Sequence, residues 1–132
     1  MPPTETILVV DDDEAVRRAL VRLLRRAGFE TLEARDGSEA IHIFADRARE
    51  ITAVTLDLAM PTTNGLETLT MLSAYAPKLP IVIATAYGPP DIVERKPHKP
   101  GLGFVQKPFP ADVLTRELRR VIDEMKGASS SV

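Results

Sequence analysis

Short apolar runs alternate with longer stretches in which apolar residues recur every three or four positions, and the alternation repeats along the chain. ILVV at 7–10 reads as a buried strand. Val16, Leu20, Leu23, Leu24 and Ala27 follow at helical spacing, with Gly28 closing the helix. TLEAR at 31–35 is a second strand, and the helix after it carries Ala40, Ile41, Phe44 and Ala48 on one face. AVTLDL at 53–58 is the third strand, with Leu66, Leu69 and Leu72 on its helix. PIVIAT at 80–85 and GFVQK at 103–107 are the fourth and fifth. A last helix from about Ala111 to Met125 lines up Leu114, Leu118, Val121, Ile122 and Met125.

Near-continuous apolar strands alternating with helices imply an α/β fold, with a parallel sheet covered on both faces. In such sheets function gathers beyond the carboxyl ends of the strands. One helix is out of pattern. Between the fourth and fifth strands, Pro89, Pro90, Pro97 and Pro100 interrupt the sequence, so only a short or irregular helix around Asp91 to Arg95 is expected.

Composition narrows the function classes. At 132 residues, 44% hydrophobic and 27% charged, the chain suits one globular domain. A net charge of -2 gives no basic field for nucleic acid. Cysteine is absent, which removes disulfides and thiolate chemistry and fits a reducing, cytoplasmic setting. No apolar run approaches the roughly 18 residues of a membrane span, and MPPTET has no leader character. Residues 1–6 read as an extension, 7–126 as the domain, and GASSSV at 127–132 as a disordered tail or linker stub.

The chemistry lies at the strand ends. Asp11 and Asp12 close the first strand, Asp57 the third, Thr85 the fourth and Lys107 the fifth, so all five converge on one rim. Two like charges about 4 Å apart repel by about 1 kcal/mol in water and about 4 kcal/mol near a protein surface. Such a cluster calls for a cation. Asp13 is set apart from it as a cap for the first helix. His42 and His98 have no partner at ligand spacing and read as surface residues.

VVDDDEAVR, LDLAMPTTNG, ATAYG and VQKPF resemble, in order and spacing, the four signature segments of the response-regulator receiver domain. The resemblance spans about Ile7 to Met125. It implies a flavodoxin-like sheet in the order 2-1-3-4-5 and a signalling module rather than an enzyme. In that scheme Asp57 is the phosphoacceptor, and Asp11, Asp12, Asp57 and the Ala59 backbone carbonyl hold Mg2+ or Mn2+. Lys107 and Thr85 bind the phosphoryl group, Phe104 is the switch aromatic, and the bond to Pro108 is cis. A plain core role for Phe104 stands beside the switch role, and its exposure separates the two. The implied partners are a histidine kinase or phosphotransfer protein and an output domain or partner protein, with a homodimer open and neither nucleic acid nor membrane involved.

Two other readings compete. One is a pseudo-receiver that is never phosphorylated and serves as a docking module. The other is a Mg2+-dependent aspartyl-nucleophile phosphatase, suggested by the D-x-D pair Asp11 and Asp13. Nucleotide binding has no support, because no glycine-rich phosphate cradle is present.

Overall fold

The computed structural model describes residues 4–58, 65–86 and 100–130. Its elements, in order, are β1 (Thr6–Val10), α1 (Glu14–Arg26), β2 (Glu30–Ala34), α2 (Gly37–Arg47) and a short 3-10 turn (Ala48–Glu50). β3 (Ile51–Leu56), α3 (Gly65–Tyr75), β4 (Ile81–Thr85), β5 (Leu102–Gln106) and α4 (Ala111–Ser130) follow. The strands form one parallel sheet in the order β2-β1-β3-β4-β5. The segment expected to hold a broken helix, and Ala59, fall outside the described residues.

Several boundaries differ from the sequence reading. β3 ends at Leu56, so Asp57 stands just beyond the strand, and β5 ends at Gln106, one residue before Lys107. Charged groups can reach one another and water there, which they cannot do between two apolar layers. β1 starts at Thr6, within the expected extension. α4 continues to Ser130, past the end of its apolar stripe at Met125 and into the expected tail, with no proline to stop it.

The sheet is apolar on both faces because its side chains alternate. On one face Ile7, Val9, Ala53, Val82 and Val105 pack with Leu20 and Leu24 of α1 and Leu114, Leu118 and Val121 of α4. On the other, Leu8, Val10, Val54, Leu56, Ile81 and Ile83 meet Phe44 of α2 and Leu69 and Leu72 of α3. Asp13 caps α1 as expected, accepting the Val16 amide at 3.1 Å. Gly28, with φ +100, takes the left-handed turn that ends the approach to β2.

One core residue breaks the pattern. Thr55 is 1% exposed, lies in register between Val9 and Val82, and has no hydrogen-bond partner for its hydroxyl among the described residues. A buried hydroxyl without a partner costs about 1–3 kcal/mol.

β5 is an edge strand, and α4 covers its open side. Glu117 Oε2 accepts the Phe104 amide at 2.9 Å, and Glu124 Oε1 accepts the Gly101 amide at 2.7 Å. Arg120 bonds to both glutamates and reaches toward the Leu102 carbonyl. The Phe104 amide and the Leu102 carbonyl are groups that another strand would use. Burial pushes the Glu117 carboxyl up, but Arg120 and the Phe104 amide outweigh it and hold the pKa below its ordinary 4.5.

Two predictions follow from this packing. Thr55→Val removes the unpartnered hydroxyl at equal shape and is expected to raise stability by about 1 kcal/mol, read from urea denaturation midpoints. For Glu117, a carboxyl depressed in the fold contributes stability above its unfolded pKa and loses it as the pH falls through the folded value. The Tm deficit of Glu117→Gln relative to the parent is therefore expected to be largest near neutral pH. It should shrink on acidification below the ordinary carboxylate range.

Candidate functional site at the carboxyl rim of the sheet

The backbone ladder continues one residue past the strands and fixes where the charged residues start. The Asp11 amide donates to the Ala34 carbonyl at 3.1 Å, the Asp57 amide to Val10 at 3.1 Å, and the Lys107 amide to Thr85 at 2.8 Å. Strand parity then puts Asp11 with Val9, Asp57 with Thr55 and Lys107 with Val105, all on the face that α1 and α4 cover.

The side chains meet. Lys107 Nζ lies 2.6 Å from Asp11 Oδ2 and 3.4 Å from Asp57 Oδ2. Asp11 is 1% exposed, whereas the side chains of Asp57 and Lys107 are 12% and 18% exposed. Asp12 is exposed and completes the group: carboxylate oxygens of Asp11, Asp12 and Asp57 all lie within 4.8 Å of one another. Burial raises the Asp11 carboxyl above its ordinary pKa. The Lys107 ammonium and the Asp13 amide pull the other way, and the charge of Asp57 adds to the rise. Among the described residues, the three clustered carboxylates thus have a single ammonium beside them, in contact with Asp11 and Asp57. An all-oxygen donor set of this charge fits a hard divalent cation.

Thr85 is buried at the end of β4, and Ile83 is in register with Phe104 on β5. Thr85 and Phe104 therefore lie on the same face of the sheet, diagonal to each other. Phe104 is half-buried and packs against the apolar layer that α2 and α3 cover. The Lys107–Pro108 peptide bond is cis. His42 is exposed on α2, away from the rim, and His98 lies outside the described residues.

Two residues that sequence reasoning passed over support the site. Arg17 donates through Nη1 to the Asp11 carbonyl at 2.9 Å and through Nε to Glu33 Oε1 at 3.0 Å. Gly65, buried at the start of α3, sits against the backbone that carries Asp57. A Cβ there would stand 2.4 Å from the Leu58 Cα and 2.8 Å from the Asp57 carbonyl oxygen. The Asn-Gly pair at 64–65 is the only local hint of this approach.

A family model described as "Response regulator receiver domain" matches residues 7–119. The chain belongs to that family. The receiver domain is 31% identical over 122 residues to the regulatory protein AtoC of Escherichia coli, covering 92% of this chain and 26% of that protein. It thus spans about a quarter of that relative's length. It is also 29% identical over 119 residues to the sensor kinase CckA of Brucella abortus, covering 90% of this chain and 13% of that protein. A receiver-domain protein from Clostridium thermocellum superposes with a TM-score of 0.83 at 28% identity, covering 94% of this chain and 98% of the other. A CheX-CheY-BeF3-Mg2+ complex from Borrelia burgdorferi gives a TM-score of 0.80 at 25% identity, covering 89% and 88%. Among the described residues no helix is long and apolar enough to cross a membrane.

Gly65→Ala tests how closely α3 supports the rim. Because the added carbon meets backbone rather than a flexible side chain, the substitution is expected to destabilise the receiver domain by about 1–3 kcal/mol. Chemical denaturation, with amide chemical shifts at Asp57 and Leu58 followed in the surviving fold, checks both the loss and its location.

Proposed function

We propose that this domain accepts a phosphoryl group on Asp57 from a phosphohistidine of a histidine kinase or phosphotransfer protein, and signals through the resulting change of conformation. The observation that carries this reading is the contact of one ammonium, Lys107, with both Asp11 and Asp57 at the carboxyl rim. The family match and the relatives among regulators and sensor kinases support it.

Asp57 supplies the nucleophile. A carboxylate oxygen attacks phosphorus, the phosphorus–nitrogen bond of the donor breaks, and the histidine departs with the bonding pair, leaving an acyl phosphate. Lys107 is a point charge within reach of Asp57, suited to pairing with an oxygen of the incoming group. Asp11 and Asp12, with Asp57, are the residues that would hold Mg2+, or Mn2+ in its place. Such a cation offsets charge on the transferring phosphoryl group. The Borrelia relative was solved in a complex with BeF3 and Mg2+, which supports a divalent cation as the ligand class here.

Thr85 then serves as the sensor. Its hydroxyl turns to the phosphoryl oxygens, and the space beside it becomes available to the ring of Phe104. The added group carries about two negative charges at neutral pH, enough to bias a two-state protein. The output partner, and pairing with a second copy, belong to the same proposal. The only chemistry asked of the domain is on itself: phosphorylation from a donor and loss of the group to water.

The phosphatase reading needs Asp13 beside Asp11. Asp13 instead caps α1, and Asp12 joins the cluster, which speaks against it.

Intact mass after incubation with acetyl phosphate, with and without Mg2+, is the test. A Mg2+-dependent gain of one phosphoryl group is expected in the parent and none in Asp57→Asn. No gain in a parent chain that still binds Mg2+ would overturn the proposal in favour of a docking module that is not phosphorylated.

A further inference from the structure

Arg17 stands in the first turns of α1, and its guanidinium ties that helix to two other parts of the fold. It donates to the Asp11 carbonyl at 2.9 Å and to Glu33 of β2 at 3.0 Å. Its side chain is only 13% exposed, against 39% for Glu33. Arginine is seldom buried to this degree without a defined partner, and here it lies against the loop behind the acidic cluster.

The Asp11 carbonyl and the Asp12 amide belong to one planar peptide unit. Asp11 is held from several sides, by the Ala34 carbonyl, the Asp13 amide and Lys107. Asp12 is not. It is exposed, and among the described residues its carboxylate makes no hydrogen bond or ion pair. The place from which that carboxylate projects depends on the two peptide units that flank Asp12, one held by Arg17 at the Asp11 carbonyl and the other by the Asp13 amide on Asp11 Oδ1.

We propose that Arg17, steadied by Glu33, is a positioning residue for the divalent-cation site, fixing the Asp11–Asp12 peptide plane and through it the Asp12 carboxylate. This rests on the reading of Asp11 and Asp12 as cation-holding residues. The pair is formally neutral, so it orients the loop without setting a net positive charge against a cation. Removing the arginine leaves Glu33 behind and makes the neighbourhood more negative. Coulomb's law alone then demands tighter cation binding; loss of positioning demands weaker binding, by about tenfold or more as for other residues that orient metal ligands. The two accounts differ in sign.

Calorimetric titration with MgCl2, paired with Tm in EDTA, distinguishes them across the parent, Arg17→Ala, Arg17→Lys and Asp12→Ala. Arg17→Ala is expected to weaken Mg2+ binding about tenfold or more. Arg17→Lys should weaken it by a smaller factor, since an ammonium keeps the charge but lacks the rigid fork that fixes the direction of both bonds. Parental or tighter affinity in folded Arg17→Ala overturns the inference; should that variant not fold, parental affinity in Arg17→Lys overturns it. Mg2+ binding in the parent that Asp12→Ala leaves unchanged, or no binding at all, overturns the cation-site reading and this inference with it.

Discussion

The contact of Lys107 with Asp11 and Asp57 is the constraint on which the rim depends. The lysine follows the edge strand β5, while the two acids follow the central strands β1 and β3, so the ammonium must cross the end of β4 to reach them. Folding brings carboxylates together that in water would each repel another by about 1 kcal/mol at 4 Å, and by about 4 kcal/mol at the effective dielectric of a protein surface. One ammonium offsets part of that. Breaking a buried pair by removing one partner leaves an uncompensated charge, so loss of Lys107 would leave both acids without the ammonium they share.

The sheet makes this arrangement possible by alternation. Asp11, Asp57 and Lys107 follow the parity of Val9, Thr55 and Val105, whereas Thr85 and Phe104 follow that of Ile83 and Leu102. The charged cluster and the threonine–aromatic pair are thus on opposite faces at one end of the sheet. Thr85, the last residue of β4, accepts the Lys107 amide through its carbonyl, so the two sets of residues are joined through the backbone at the end of the sheet.

Much of this was legible because it is periodic. Strands were visible as apolar runs, helices as stripes with Asp13 and Gly28 at the ends of the first, and the rim as the set of polar residues that closes each run. What periodicity does not carry is the polar partner far away in sequence. Nothing local marks Arg17 as the holder of the Asp11 carbonyl, or Glu117, Arg120 and Glu124 as the cover of the β5 edge. Gly65 was hidden for a related reason: its role is to lack a side chain at a backbone contact, and a helical pattern shows only the side chains that are present. The strand ends were misplaced by a residue or two because an apolar neighbour such as Leu58 extends the pattern after the ladder has stopped.

A charged cluster of this kind also links stability to occupancy. The raised pKa of Asp11 means that the fold gives its charge less support than water does, despite the ammonium beside it. Whatever cation binds the folded cluster and not the open chain returns that support, by about 2.7 kcal/mol at a hundredfold excess over its dissociation constant. That is a large share of the stability of a domain this size, which is of the order of 5–15 kcal/mol. Holding the Asp11 charge at the rim therefore costs the fold stability when the cluster stands alone. The apolar layers on both faces of the sheet, with α4 closing its edge, supply the stability that lets so much negative charge be held in one place.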